Sequence, residues 1–451
     1  MPSREDHPVI TLHDARVLVV DAAFTEHARG WLRVQGTLIV GVGAGDPPPL
    51  PDGQSEQRID VGGDLLMPGL VNSHCHLPMT LFRGLGEDVD DRLFRYVLPL
   101  ERRCITPDTV RTGTELAAIE SIRAGVTTLA DMYWFERTIG EVLDAAGLRG
   151  LVGQTLATFQ TPDQGSIDEG FALVDELVER FAGHPRITAS IAPHAPYSTG
   201  IEVMQRVADW HAAHPDIPVQ LHLAEMVSET EWAAREHGCR PVETVDRAGL
   251  LGPGLIAAHC LFLTEAERDL LAERDVRVAH NARSNAKAGR GIAPVEALRA
   301  RGIPVGIATD GPMSGNTLDL FAQFGPVAMF QKLAGGSRAP MPAREVIRMA
   351  TLEGAAVLGL DRCIGSLEVG KQADLIRIRL DDPRVQPVWD VYATLVFASA
   401  ACDVRDAMVA GRWLMRDRQV LTLETPRVLA DVAQVARAFG AEMIRLDGET
   451  P

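Results

Sequence analysis

Several absences narrow the reading of this chain before any motif is considered. No run of about eighteen apolar residues occurs, so no bilayer-spanning helix is expected and no membrane partner is inferred. The opening MPSREDHPVITLHD is mixed in charge and lacks a long apolar core, which argues against a secretory leader. The six cysteines, Cys75, Cys104, Cys239, Cys260, Cys363 and Cys402, are scattered without a CxxC pair, which argues against a zinc knuckle, a redox dithiol or a disulfide framework. Reduced thiols and a cytoplasmic location are the expectation. Lysine is scarce: Lys287, Lys332 and Lys371 are the only three among 44 basic residues. There is no basic cluster, and the formal charge of −17 repels polyanions, so nucleic acid is not an expected partner. No HExxH occurs, and no PCxxC accompanies an HxE, which removes the zincin proteases and the Cys-ligated zinc deaminases.

What is present is ordinary globular composition, 46% hydrophobic and 23% charged over 451 residues, enough for a large core throughout. Near the N-terminus VITLHDARVLVV, GWLRVQGTLIVGVG and QRIDVGGDLLMPG are short runs broken by Gly and Pro, the pattern of a small antiparallel β unit. ADLIRIRL and VRDAMVAGRWLMRDRQVL have the same character near the other end, so the two sets are expected to pair into one discontinuous β-sandwich. Between them VNSHCH, GVTTLADM, LRGLVGQTL, ITASIAPHAP, PVQLHLAE, LIAAHCLFL, VRVAHNARSN and IPVGIATDG are eight apolar runs, separated by helix-like stretches such as TPDTVRTGTELAAIESIRA and SIDEGFALVDELVERFAG. Eight β-then-α units imply an α/β fold, a (β/α)8 barrel. The expected division is 1–64 for the first part of the sandwich, 65–362 for the barrel, 363–424 for the second part, and 425–451 for a C-terminal helical segment and tail.

In a barrel of this kind the active site lies at the C-terminal ends of the strands. The polar residues closing these runs are His74, His76, His194, His222, Glu225, His259, His280 and Asp310, and six of the chain's 13 histidines are among them. His74 and His76 share one face of an extended chain while Cys75 points away, which is how a chelating pair is made. His280 reads equally well as a hydrogen-bonded bystander. Three imidazoles with a carboxylate suit a borderline divalent cation such as Zn²⁺, with Fe²⁺ or Mn²⁺ as substitutes, at a site that keeps an open position for a reactive water. His222 and Glu225 are three apart, so the strand must end or bend near Ala224 for both to face one pocket.

VNSHCH, HLAE, AAHC and ATDG, followed by SLEVGKQADLI, resemble the amidohydrolase superfamily, and within it the cytosine-deaminase-like branch. MTLFRGLGED, VLPLE, GVTTLADMY, APHAPYS, HLAE and SNAKAG are similar to the 5'-methylthioadenosine/S-adenosylhomocysteine deaminases. The resemblance covers nearly the whole chain. It implies a TIM barrel with a composite β-sandwich, metal ligands His74, His76, His222 and Asp310, Glu225 as proton shuttle, and His259 polarising the attacking oxygen. Asp310 would also take a proton, and Glu101 and His194 would hold the ribose hydroxyls beside Glu225. The implied function is hydrolytic deamination of an amino-purine nucleoside with release of ammonia, by a homo-oligomer. One metal is expected, because the bridging lysine of binuclear relatives has no counterpart before Lys287.

The chain departs from this pattern in places. It reads SNAKAGRG where relatives often read SNLKLASG, and ATDGPMSGN where they often read TDGAASNN. Arg92 stands near the place of a common pocket tryptophan, and QTLATFQTPDQG lacks the arginines with which some members bind a distal carboxylate. The same machinery could therefore serve a ribose-free ring, as in a guanine-like, pterin or cytosine deaminase or a chlorotriazine hydrolase. A noncatalytic metal-containing binding protein is the alternative from another class, and it would have no need of Glu225 and His259 beside the ligands.

Overall fold

The computed structural model describes residues 8–89 and 92–449. Strands Val9–Leu18, Glu26–Gln35, Leu38–Ala44, Glu56–Asp60 and Leu65–Pro68 from the N-terminal part join Leu375–Ile378, Val404–Val409, Arg412–Arg416 and Gln419–Val420 from the C-terminal part in one nine-stranded sheet. The two sets meet where Leu65–Pro68 runs antiparallel to Leu375–Ile378. Most pairings are antiparallel, as short Gly- and Pro-broken runs imply, but Val9–Leu18 pairs in parallel with both Glu56–Asp60 and Leu65–Pro68. Leu12, Val17, Leu32, Ile39, Leu66 and Leu375 form its apolar interior and are withdrawn from water.

Leu65–Pro68 belongs to this composite sheet, and we propose that the first part of the sandwich runs on to residue 68 rather than ending at 64. LLMP is as apolar as the barrel strand that follows, because both are buried, so hydropathy does not mark the crossing. Gly69 does: a Cβ there would collide with the Thr127 side chain. We propose Gly69 as the step between the two layers.

Eight parallel strands make the second sheet, in chain order: Leu70–Cys75, Val126–Tyr133, Arg149–Leu156, Ile187–Pro193, Val219–Leu223, Leu255–His259, Arg277–His280 and Val305–Ile307. Just past the eighth strand, the Asp310 amide donates to the His74 carbonyl on the first strand at 3.1 Å, so the edges of the sheet meet around a barrel axis. The eight runs read from the sequence are these eight strands. Helices cover the outer face, and every residue of the second and third strands is buried, which is why these runs are nearly continuous in apolar character rather than alternating. Inside, Ala130, Leu151, Ile256, Ala258, Ala279 and Ala308 pack together with Ala355 and Val357 of helix Leu352–Val357. Small residues at these positions let the barrel close.

The surrounding helices start where local chemistry dictates. Thr106 accepts from the Thr109 amide ahead of helix Pro107–Arg123, whose first-turn proline has no amide to satisfy. Ser166 caps Ile167–Phe181, and Thr264 with Glu267 forms a reciprocal box at the start of Glu265–Glu273. The C-terminal helix Thr425–Glu449 returns over Pro107–Arg123, with the rings of Phe439 and Phe82 5.2 Å apart and Arg427 paired to Glu115 at 3.0 Å. Among the described residues no helix is long and apolar enough to cross a membrane.

The two layers are tied by a buried ion pair. Arg149, at the start of the third barrel strand, donates to both oxygens of Asp374 at 3.0 and 3.3 Å and to the Pro185 carbonyl at 3.0 Å. The Ala410 amide donates to Asp374 Oδ1 at 2.7 Å. This cluster is fully partnered and nearly dry, with side-chain exposures of 7% and 2%.

Candidate metal centre and active site

The C-terminal rim of the barrel gathers the polar residues that close its strands. His74 ends the first strand region with Cys75 turned away, its thiol 3.3 Å from the Ala130 carbonyl. His76 follows at the strand's end, and its ring lies 4.8 Å from that of His74. On the fifth strand His222 shares the interior face with Gln220, whose amide donates to Ser190 Oγ at 2.8 Å across the barrel interior. The strand stops at Leu223 and Ala224 takes φ 53°, the bend that the three-residue spacing of His222 and Glu225 requires.

Two other rim residues are delivered by left-handed backbone. On the sixth strand Ile256 and Ala258 belong to the interior cluster, so simple alternation would aim His259 outward; φ of 72° at His259 and 46° at Cys260 breaks the alternation. Asp310, three residues past the eighth strand, has φ 62°. Non-glycine residues in this region are costly, and their concentration at one rim marks a functional arrangement.

The donor geometry tests whether a cation fits. His76 Nδ1 lies 2.6 Å from the Met132 carbonyl and His222 Nδ1 lies 2.7 Å from the His194 carbonyl. A carbonyl only accepts, so each Nδ1 carries a proton, and a ring without a second proton turns its Nε2 lone pair inward. Those two Nε2 atoms are 3.3 Å apart, and Asp310 Oδ1 is 3.3 Å from His76 Nε2. His74 Nε2 is buried without a hydrogen-bond partner. Ligand atoms of His74, His76 and Asp310, and those of His74, His222 and His259, lie within 4.8 Å of one another in two overlapping groups. Inward lone pairs with a carboxylate and no donor between them fit a divalent cation. His280 lies in neither group; it is buried, and burial holds its ring down to about 4.

The charges agree with this reading. Burial alone would raise Asp310, but its bond to His76 and the nearby imidazoles hold it well below the ordinary carboxylate range. Burial favours neutral His76, yet the Asp310 bond outweighs it and draws the ring up to about 9. Asp310 therefore calls for positive charge beside the imidazoles, which either an extra proton or a divalent cation supplies. His222 is pushed down to about 4, by burial first and by His76 second, and burial takes His74 well below its usual value.

Around this set stand the groups that could handle substrate. Glu225 Oε1 is 3.6 Å from His259 Nε2, and burial, which would raise the carboxyl, is overcome by His259 and Arg290, so it stays below its usual value. His259 Nδ1 is 2.9 Å from Asn285 Oδ1, and Ser284 Oγ donates to Asp310 Oδ2 at 2.5 Å. Both Glu229 oxygens accept amides at the bend, from Ala224 and Glu225 at 2.9 Å each. Glu101 lies buried on helix Leu98–Cys104, accepts from Tyr133 Oη at 2.7 Å, and is raised by burial to about 7. The Tyr133 and His76 rings are 6.5 Å apart, which places the Glu101 carboxyl one ring away from the centre. The His194 ring lies beside that of His222, with centroids 4.9 Å apart and planes tilted by 53°, and its Nδ1 lies 2.7 Å from Ser198 Oγ.

All eight residues expected at the site thus lie around one rim. Sequence reading did not assign roles to Ser284, Asn285, Glu229 or Tyr133. Glu229 carries a signal, an acid in the first turn of helix Val227–His237, while Ser284 and Asn285 stand in SNAKAGRG, a segment that begins like its relatives and then departs from them. Arg92, near a common tryptophan position, lies 3.6 Å from Glu87, which also binds Lys287 at 2.5 Å.

Comparison with known proteins follows the same lines. The amidohydrolase family model matches residues 65–414. A 5-methylthioadenosine/S-adenosylhomocysteine deaminase from Syntrophobacter fumaroxidans is 42% identical over 390 residues, 86% of this chain and 89% of its own. The crystal structure of an adenosine deaminase from Xanthomonas campestris with bound zinc superposes with a TM-score of 0.90 at 34% identity, covering 96% of this chain and 99% of that one. An atrazine chlorohydrolase from Arthrobacter aurescens, complexed with zinc, superposes with a TM-score of 0.86 over 95% of this chain and all of that one; at 22% identity it speaks for the fold alone.

Proposed function

The chain belongs to the amidohydrolase family and is a hydrolytic deaminase dependent on a divalent metal, and from that premise we propose that it removes the exocyclic amino group of an amino-purine nucleoside of the methylthioadenosine, S-adenosylhomocysteine or adenosine type. The observation that carries the reading is the convergence of Glu225 and His259 beside the inward-facing imidazoles and Asp310. A binding protein would have no use for that pair. The relatives' names support the nucleoside, and on this reading Glu101 and His194 would hold the ribose hydroxyls.

His74, His76, His222 and Asp310 would hold one ion, most simply Zn²⁺, which when bound supplies a water acidic enough to attack near neutral pH. A single ion is favoured because Lys287, the first lysine in the chain, is engaged by Glu87. Asp310, its second oxygen steadied by Ser284, would take the proton released as the carbon–oxygen bond forms at the amino-bearing carbon. Glu225, ionised in the empty site, would take the other proton of the attacking water and pass it to the adjacent ring nitrogen, so that the ring ceases to be aromatic there; with the Asp310 proton returned to the amino group, the carbon–nitrogen bond breaks, ammonia leaves and a carbonyl remains. Asn285 fixes the Nδ1 proton of His259, and a second proton on Nε2, beside Glu225, would let the ring stabilise the developing negative oxygen. General acid–base catalysis commonly contributes about 10²–10⁴-fold, so these side chains share the acceleration with the ion.

Free thiols at all six cysteines suit a reducing cytoplasm, and symmetric self-association is the common state of such enzymes. A panel of adenosine, methylthioadenosine, S-adenosylhomocysteine, guanine, pterins, cytosine and aminotriazines, scored by ammonia release, tests the substrate. Turnover of nucleosides with free adenine poor is the expected result. Efficient turnover of a ribose-free ring with nucleosides inert would overturn the substrate class and leave the chemistry standing.

A further inference from the structure

The segment SNAKAGRG follows the seventh strand, and its polar side chains reach the rim at separate points. Ser284 holds Asp310, Asn285 holds His259, and Lys287 binds Glu87 on the loop after the first strand. Arg290 is different. It sits on a tip between Gly289 (φ 66°) and Gly291 (φ 111°), tied back by its own amide on the Asn285 carbonyl and by the Gly289 amide on the Ala286 carbonyl, both at 3.0 Å. A Cβ at either glycine would meet nothing, so the two glycines serve the backbone conformation rather than a close approach. Across the rim, the Arg290 guanidinium bonds Glu225 Oε1, the same oxygen that faces His259. The pair lies between pocket and solvent, with Arg290 30% exposed and Glu225 15%.

We propose that Arg290 is a substrate-displaced latch on Glu225: it occupies the pocket-side carboxylate oxygen in the empty enzyme and swings away on its two-glycine tip as the ring enters. The proposal rests on Glu225 being the proton shuttle. An oxygen bound to a guanidinium cannot also deliver a proton to a ring nitrogen, and arginine is not itself an acid at working pH. A part-exposed ion pair is weak enough to be exchanged for the ligand. Because only the unlatched form binds substrate, the latch raises the apparent KM by the inverse of the open fraction and leaves kcat alone. It also keeps a buried carboxylate partnered while no substrate is bound.

The test is steady-state kinetics of the metal-loaded full-length protein and its Arg290→Ser and Arg290→Lys variants, with adenosine as substrate and inosine as product inhibitor. If the panel selects another ring, that ring and its own deaminated product are used. Arg290→Ser should lower KM by about 2- to 5-fold and tighten product inhibition by the same factor, with kcat within about twofold; Arg290→Lys should fall between. A kcat loss of about tenfold that Lys restores would make Arg290 a permanent positioning residue and overturn the latch. Unchanged KM and product inhibition in both variants would overturn it as well. Failure of the shuttle reading is separately visible, since Glu225→Gln would then retain full kcat. Thermal melting confirms that each variant is folded, and Arg290→Gln is a second neutral replacement.

Discussion

Among the described residues, two of the buried polar clusters are built on opposite principles. At the junction of the two layers, Arg149 and Asp374 satisfy each other and the backbone around them, so the cluster is neutral and closed. At the rim, His76 and His222 turn their Nε2 atoms toward one another at 3.3 Å, His74 Nε2 has no hydrogen-bond partner, and Asp310, His259 and Ala224 sit in left-handed backbone. A closed cluster holds parts together. An open one holds something that is not part of the chain, and strain around it is tolerated for that reason.

The comparison is broken most severely at His222. His222→Ala should lose bound metal and activity together, lowering kcat/KM by about 10³-fold or more, as read by elemental analysis and ammonia release. Retained metal with lost activity would remove His222 from the ligand set. Glu225→Gln should separate the two properties, keeping the metal while kcat falls by about 10²-fold or more. Metal loss there would make Glu225 a ligand. Asn285→Ala should cost about 10- to 100-fold in kcat through the freed His259 ring, again with metal retained. For nucleosides, Glu101→Gln should lower kcat/KM by the equivalent of about 1–3 kcal/mol, and a ribose-free ring should be affected much less.

The closed cluster should answer in the opposite way. Asp374→Ala leaves the Arg149 charge buried and should destabilise the fold by about 3–5 kcal/mol in denaturant titration. Metal content and kcat per folded chain should not change. An equal loss of metal would mean that the junction also sets the rim's geometry.

How much of this was legible in the sequence follows from what periodicity can carry. Eight buried parallel strands leave eight apolar runs, and a ligand-bearing rim leaves histidines at their ends, so the barrel and its candidate site residues could be read directly. Pairing of the two chain ends was legible from their shared Gly- and Pro-broken character. The assignment of Leu65–Pro68 was not, because two strands in different sheets meet at Gly69 without a change in hydropathy. The parallel pairings of Val9–Leu18 were hidden too, since register between distant strands leaves no local mark. Ser284, Asn285 and Arg290 lie on a helix turn and a glycine tip whose aim depends on backbone angles, not on a repeat.

Elemental analysis of the purified full-length chain, paired with ammonia release before and after chelation, tests the central claim most directly. The account requires about one divalent ion per chain, loss of deamination when it is removed, and recovery when Zn²⁺ is returned. Full activity in metal-free protein, or two ions in every active chain, would contradict it.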